Sequence, residues 1–548
     1  MKKYKKAACL LAALVLLLTS VLPASARTYI SLNKKIPVVV LSGDGEPLVD
    51  RDGNRILKFT NLGDIAGETD NTELYESIAN VLQPFLLEGV LFNRWDNYYA
   101  NLQKEVAELT EGIQLNENGE VDNGSGISEA RKQENEANMH TDKKGAKGYY
   151  GFEDYHFWYD WRLDPLEVAD QLAEYIDAVL AATGAKKVSL ISRCVGVSVT
   201  LSYVAKYGTS KLHGYAVDGS CTNGGEFISD SLSGKFKVDG DAIERFLTDY
   251  NALGILNVSD FAMASIDLLN KSGVLDAAVS VSRATIYNKI MVGATSALAL
   301  STVFTMPCYW AFVTEEDYDT AKRYVFGEEG SEKRIQYAGL IEKLDRYDAT
   351  VRRHIPELML GLGQKGVNVA IISKYGFQMM PICQSAEQVS DEYASVHRSS
   401  YGATTSTIYD TLSEDYIAQR KAEGKGKYIS PDKQVDASTC LYPDATWFNK
   451  GARHGNWTAA ENEILYEAVT AARQLTPADL PYSQFIVYDG ETDASSPMTE
   501  ENCHTENWTA DASKDKTTSL LVRFFTFLRS LINWYRALFE AIQDFRAA

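Results

Sequence analysis

The sequence is marked first by what it lacks. None of its seven cysteines stands in a CxxC pair, so the local spacing of a metal-binding site is absent. Basic residues are outnumbered, 54 lysines and arginines against 74 aspartates and glutamates, for a formal net charge of −20. Nucleic-acid binding needs a basic face to track phosphates, and that partner class is excluded. The acidic excess reads more simply as a solubility feature of an exported surface. No internal repeat is visible, and nothing in the residues calls for a cofactor or a metal ion. What is present is bulk: 548 residues, 45% of them hydrophobic, are enough for one large domain with insertions, or for two domains.

The first 26 residues have the layout of a targeting segment. Lys2, Lys3, Lys5 and Lys6 give a positive start, an apolar run follows from Ala7 to Leu18, and Ala24-Ser25-Ala26 supplies the small residues of a cleavage site. Removing them takes away four lysines and no acid, leaving −24 over 522 residues. The expected location is therefore secreted or cell-surface, where disulfides are possible among the six remaining cysteines, Cys194, Cys221, Cys308, Cys383, Cys440 and Cys503.

Along the chain, strand and helix patterns alternate. Ile36–Leu41 is a continuous β-branched run closed by Ser42-Gly43-Asp44-Gly45, as expected of a buried parallel strand ending in a tight loop. A helical stretch is expected over 72–114, and the polar segment from Asn116 to Lys147 reads as a surface loop or insertion. An amphipathic helix from Leu166 to Ala182, a strand at Lys187–Ile191, a helix at Val197–Tyr207 and a strand at Gly214–Val217 follow, then a glycine-rich loop, Ser220–Phe227. This is the pattern of a doubly wound, mostly parallel α/β sheet. Residues 240–355 break the alternation and are expected to form an inserted helical cap. Within them Ile290–Val313 carries no charge, long enough to span a bilayer, but its Thr and Ser content, Gly293 and Pro307 favour a buried cap helix. The sheet resumes at Val367–Ile372 before a long polar excursion. The expected organisation is a targeting segment (1–26), a first core part (27–239), the cap (240–355), a second core part (356–510) and a C-terminal amphipathic segment (511–548).

Chemistry concentrates at Ser192-Arg193-Cys194-Val195-Gly196, where a buried strand runs directly into a helix. Small residues two positions either side of the apex are what a nucleophile elbow needs, because strand and helix approach each other there. At its apex stands Cys194, at a helix N-terminus that favours a thiolate, with Arg193 adding positive charge if it points inward. In such an arrangement the acid and the histidine follow the nucleophile in chain order. His454, in Lys450-Gly451-Ala452-Arg453-His454-Gly455-Asn456-Trp457 after the expected last strand, is the preferred general base over His213, His354, His397 and His504. Asp432, Asp436 and Asp444 are the acids within reach of that loop. Asp432, in a turn after Ser430-Pro431, is preferred and Asp436 comes second. The oxyanion hole would use the backbone N–H of Val195 with one from Gly43 or Asp44; Gly43 and Gly45 are equally explained as turn glycines.

These residues resemble the lecithin:cholesterol acyltransferase-like group of α/β-hydrolases. The likeness rests on Tyr159-Asp160-Trp161-Arg162 before a helix, on the elbow with Leu201-Ser202-Tyr203-Val204-Ala205-Lys206-Tyr207-Gly208 after it, and on the glycine-rich loop beyond the next strand. It covers residues 34–225 and, more loosely, 365–460. In that group an aspartate in a Gly-Asp-Gly-Thr-Val-like turn supplies the acid, and Pro431-Asp432-Lys433-Gln434-Val435 is the nearest counterpart. Serine usually fills the elbow; cysteine at the apex is similar to dienelactone hydrolases. The resemblance implies acyl-ester chemistry, hydrolysis or transfer, on an ester or lipid substrate.

Apolar residues dominate Leu520–Phe545, with one narrow polar stripe. That helix is expected to lie in a membrane interface or to pack on the cap or a partner. The rival class is a non-catalytic envelope or glycan-surface binding protein that keeps the fold without the chemistry.

Overall fold

A computed structural model describes residues 34–43, 47–56, 84, 88, 94–109, 112–235, 303–379, 383–408, 410–490 and 492–503. The targeting segment, Asp44, residues 240–302 of the expected cap, His504 and the C-terminal helix lie outside the described residues.

Eight strands form the central sheet: β1 (Val38–Leu41), β2 (Tyr155–His156), β3 (Val188–Arg193), β4 (Leu212–Asp218), β5 (Asn368–Tyr375), β6 (Thr446–Lys450), β7 (Phe485–Asp489) and β8 (Ala494–Pro497). They lie in the order β8-β7-β6-β5-β4-β3-β1-β2, and every pairing is parallel except that of β8 with β7. The continuous apolar runs in the sequence follow from this. A parallel sheet covered by helices buries both faces of its central strands, so polar alternation has no place in them. Val39 and Leu41 of β1 face a layer containing α1 (Pro165–Thr183) and α2 (Gly196–Tyr207), while Val38 and Val40 face α7 (Ala459–Thr470) on the other side.

Local signals set the helix ends. Asp164 caps α1 by accepting the Leu166 N–H at 2.9 Å, Pro165 occupies the first turn, and Gly184 closes the helix at φ 66°. Thr458 and Glu461 form a reciprocal capping box at the start of α7.

The described part of the expected cap, residues 303–355, contains α4 (Tyr318–Phe326), α5 (Ala338–Thr350) and two shorter helices, Pro307–Trp310 and Glu332–Gln336. Trp310, Phe326, Leu340 and Leu344 are buried in the same cluster as the α1 and α2 side of the sheet. In the uncharged run Ile290–Val313, the described residues form a 3₁₀ turn at Val303–Thr305 and the short helix beginning at Pro307. No helix among the described residues is long and apolar enough to cross a membrane.

Two expectations are corrected. The segment Asn116–Lys147 is not all loop: it holds the helix Glu129–His140, capped by Ser128. Asn138 is its one buried residue, and polar contacts hold it in place: Asn135 donates to the Trp158 carbonyl at 2.6 Å and the Arg131 guanidinium lies 3.7 Å from the Trp158 ring centroid. A helix docked through polar groups leaves no apolar periodicity to read. Nor is the strand before His454 the last, because β7 and the mostly exposed edge strand β8 follow it.

Candidate active site

The chemistry-bearing side chains gather at the carboxyl ends of the parallel strands, where open α/β sheets present their loops. Between β3 and α2 the chain turns through Cys194, which sits at φ 46°, in the left-handed region that non-glycine residues rarely adopt. Such strain persists only where the surroundings over-determine it. Here they do. The Cys194 N–H donates to the Asp218 carbonyl of β4 at 3.3 Å, and a Cβ on Gly196 would meet Leu41 and the Leu41 and Ser42 carbonyl oxygens at 3.1 Å. Ser192, where glycine is more usual, fits because its hydroxyl is used on both sides, donating to the Ala216 carbonyl of β4 at 3.3 Å and accepting from Thr200 of α2 at 3.1 Å.

Gly43 is more than a turn residue. A Cβ there would lie 2.7 Å from the Cys194 Cβ, closer than such atoms approach, so the backbone after β1 can reach the Cys194 side chain only without one. The Tyr159 hydroxyl pins this loop by donating to the Ser42 carbonyl at 2.8 Å. The rest of the Tyr-Asp-Trp-Arg segment is scaffold: fully buried Arg162 grips Asp160 through two bonds, 2.9 and 2.6 Å, and donates to the carbonyls of Gly112 and Ile113.

His454 lies beyond β6, buried, and its ring nitrogen comes within 4.8 Å of the Cys194 sulfur. Its Nδ1 is 2.8 Å from Asp391 Oδ2, and its own N–H donates to the Asp391 carbonyl at 3.2 Å. The carboxylate facing His454 is therefore Asp391, not Asp432, Asp436 or Asp444. Asp432 is 2.8 Å from the Lys450 ammonium and accepts from the Tyr375 hydroxyl at 3.0 Å. Asp436 is taken by Arg420 and the Tyr416 hydroxyl, and Asp444 by the Tyr428 hydroxyl. Of the other histidines, His213 and His397 bond backbone carbonyls of Ala471 and Ala403.

Asp391 is held by its own turn. Its Oδ1 accepts the N–H groups of Tyr393 (3.1 Å) and Ala394 (2.9 Å), and Glu392 takes a left-handed φ of 91° to close the loop. The loop docks on α3 (Glu226–Ser233) where Glu226 accepts the Ser395 N–H at 2.8 Å. Burial alone would raise the Asp391 carboxyl, but the His454 ring and these N–H donors hold it below the usual carboxylate range. Burial likewise opposes a charge on His454, yet Asp391 and the Cys194 sulfur hold its pKa well above the ordinary value. Both shifts favour a charged ring between an anionic carboxylate and a sulfur.

Arg193 points into the protein but not at the sulfur. Its Nε is 3.3 Å from Asp218 and its guanidinium lies 4.3 Å from the Trp457 ring centroid. Cys221, in the glycine-rich loop after β4, was not foreseen here; its sulfur is 3.9 Å from His454 Nε2. Although no two cysteines are spaced as ligands in sequence, the fold brings Cys194, Cys221 and His454 together with their ligand atoms all within 4.8 Å. All six described cysteines are buried, and no disulfide joins any two of them.

No family model and no curated protein matches this chain. Among solved structures, the Tle4–Tli4 complex overlaps 62% of this chain and 75% of its own at 11% identity and a TM-score of 0.23. Kex1Δp, a prohormone-processing carboxypeptidase from Saccharomyces cerevisiae, overlaps 62% and 66% at 10% identity and a TM-score of 0.17. Overlaps this weak assign neither fold family nor activity.

Proposed function

We propose that the protein is an exported α/β-hydrolase that cleaves an acyl ester through Cys194, His454 and Asp391. The observation that carries this reading is the strained apex: Cys194 held at positive φ between a strand and a helix, facing an imidazole whose far nitrogen is bound to a buried carboxylate. The strand order, with the apex after β3, the acid after β5 and the base after β6, supports it.

In the proposed reaction the Cys194 thiolate attacks the acyl carbon. The developing oxyanion takes hydrogen bonds from the Val195 N–H at the start of α2 and from the loop at Gly43. Collapse breaks the carbon–oxygen bond, and His454 Nε2 gives its proton to the leaving alkoxide. A thioester remains on Cys194. His454 then takes a proton from water, the hydroxide adds to the thioester carbonyl, and the carbon–sulfur bond breaks to restore the thiolate. Asp391 keeps Nδ1 protonated throughout and stabilises the charged ring. An alcohol in place of water makes the same site a transferase.

The test is mass spectrometry of the purified protein after brief exposure to p-nitrophenyl acyl esters of graded chain length, beside Cys194→Ala. An acyl adduct on the Cys194 peptide, with turnover lost in the variant, is expected. Unchanged hydrolysis by Cys194→Ala overturns the assignment, and a folded protein with an inert Cys194 moves it to the binding-protein class.

A further inference from the structure

We infer that Cys194, Cys221 and His454 form a binding site for a soft divalent cation, Zn²⁺ in the first instance, which closes the nucleophile off reversibly. The three side chains come from three loops, after β3, β4 and β6, and their ligand atoms lie within 4.8 Å of one another, with Cys221 Sγ and His454 Nε2 3.9 Å apart. Zinc bonds of about 2.3 Å to sulfur and about 2.0 Å to nitrogen place tetrahedral ligands roughly 3.6–3.8 Å apart. Small side-chain rotations therefore close the set around one ion.

The donor chemistry is selective. Two thiolates and an imidazole prefer Zn²⁺ over Mg²⁺ or Ca²⁺, which require oxygen ligands. His454 also has the outer partner that metal-bound histidines need, since Asp391 accepts from Nδ1 and so leaves Nε2 turned to the two sulfurs. Cys194 and His454 each keep 8% of their surface exposed while Cys221 keeps 1%, so an ion enters from the Cys194 and His454 side and leaves its fourth position to water or a small anion.

Binding balances in protons. Starting from the Cys194 thiolate, a charged His454 and a neutral Cys221, the ion displaces the Nε2 proton and the Cys221 S–H proton and forms two Zn–S bonds and one Zn–N bond, releasing two protons. The sulfur that attacks the ester and the nitrogen that relays the proton are then both occupied. The site itself stands on the cluster alone. The consequence, inhibition, rests on the acyl-hydrolase reading above.

The experiment is titration of the full chain, in a non-thiol reductant that excludes a disulfide, with Zn²⁺ against a chromogenic chelator and with Co²⁺ followed by thiolate-to-metal charge-transfer absorption. One ion per chain, a Co²⁺ charge-transfer band, and protection of both Cys194 and Cys221 from iodoacetamide by Zn²⁺ are expected. Cys221→Ala and the better volume match Cys221→Ser, each checked for folding by circular dichroism, should weaken Zn²⁺ at least 100-fold. Cys440→Ala, in a separate core cluster, should bind as the parent does. Absence of the charge-transfer band, or Zn²⁺ binding undiminished in both Cys221 variants, overturns the site. None of these readouts depends on ester turnover, so a zinc site without hydrolase activity and a hydrolase without a zinc site are distinct results.

Discussion

Asp391→Asn is the sharpest perturbation of the proposed site. The substitution keeps the volume and, through its amide oxygen, can keep the turn bonds from Tyr393 and Ala394, but it removes a buried negative charge 2.8 Å from Nδ1. With the charge centres about 4.5 Å apart and an effective dielectric of about 20, the charged ring loses about 4 kcal/mol of stabilisation. That corresponds to several hundred-fold in any step requiring a protonated His454 beside a thiolate. The amide can also donate to Nδ1, which forces the other tautomer and leaves Nε2 unable to act as base. Two assays read this without knowledge of the substrate: the second-order rate of iodoacetamide alkylation at the Cys194 peptide at neutral pH, and p-nitrophenyl ester turnover. Both should fall 100-fold or more. Asp432→Asn, whose carboxylate serves Lys450 and Tyr375, should cost stability while both rates stay within about threefold of the parent. Full activity in Asp391→Asn with collapse in Asp432→Asn would refute Asp391 as the partner of His454.

Gly43→Ala forces a methyl to within 2.7 Å of the Cys194 Cβ, so the loop or the apex must shift; turnover should drop about 100-fold with urea stability little changed, and unaltered turnover contradicts the close approach. Lys374→Ala leaves the buried carboxylates of Asp218 and Glu461, 2.9 and 3.6 Å from its ammonium, without their shared cation, and should cost about 3–5 kcal/mol in urea unfolding; a loss under about 1 kcal/mol would show that the carboxylates do not depend on it. His156 is pushed down to about 4 chiefly by burial, so between pH 6.5 and 4 the unfolded chain binds a proton that the folded chain refuses, and stability falls as pH falls through that window. His156→Gln should flatten the drop by up to about 3 kcal/mol between pH 7 and 4.5, and an unchanged slope would remove His156 as its source.

The parts of this molecule legible in its sequence are those fixed by local pattern. β1, β3 and β5 read as strands because burial on both faces demands unbroken apolar runs, and Cys194 stood out because a strand meeting a helix across five residues leaves few conformations for its apex. His454 was found by chain order and a glycine-flanked loop. Asp391 was not, because nothing in Ser390-Asp391-Glu392-Tyr393-Ala394-Ser395 distinguishes it from Pro431-Asp432 until the fold sets one beside His454 and the other beside Lys450. Its only local signal is an aspartate whose side chain can cap its own turn, which many surface loops share. Cys221 was hidden for a related reason. Ligand spacing along the chain reports metal sites built within one segment, whereas Cys221 and Cys194 meet through the pairing of β3 with β4.

That pairing also explains why a charged cluster lies beneath a site otherwise built from backbone turns. Arg193 and Asp218 are register partners at the ends of β3 and β4, and Lys374 is two residues beyond Ile372, the Asp218 partner on β5. Asp218 receives both cations, Lys374 also pairs with Glu461 of α7, and the Lys374 ammonium donates to the carbonyls of His454 and Asn456. Two positive and two negative groups thus link the strand that leads into Cys194, the next two strands of the sheet on one side of it, the helix behind them and the loop carrying His454. Burial opposes the charge on Lys374, but Asp218 and Glu461 raise its pKa, so the cation persists. A hydrophobic core of equal volume could be as stable, because desolvation offsets most of what buried ion pairs contribute. What it could not do is hold the His454 loop: the Asp218 main-chain carbonyl, which receives the Cys194 N–H, would survive such a replacement, but the carboxylate that orients the lysine donating to the His454 carbonyl would not. The cluster's contribution is therefore expected in the relative placement of sulfur and imidazole, on which both the proposed ester cleavage and the proposed cation site depend.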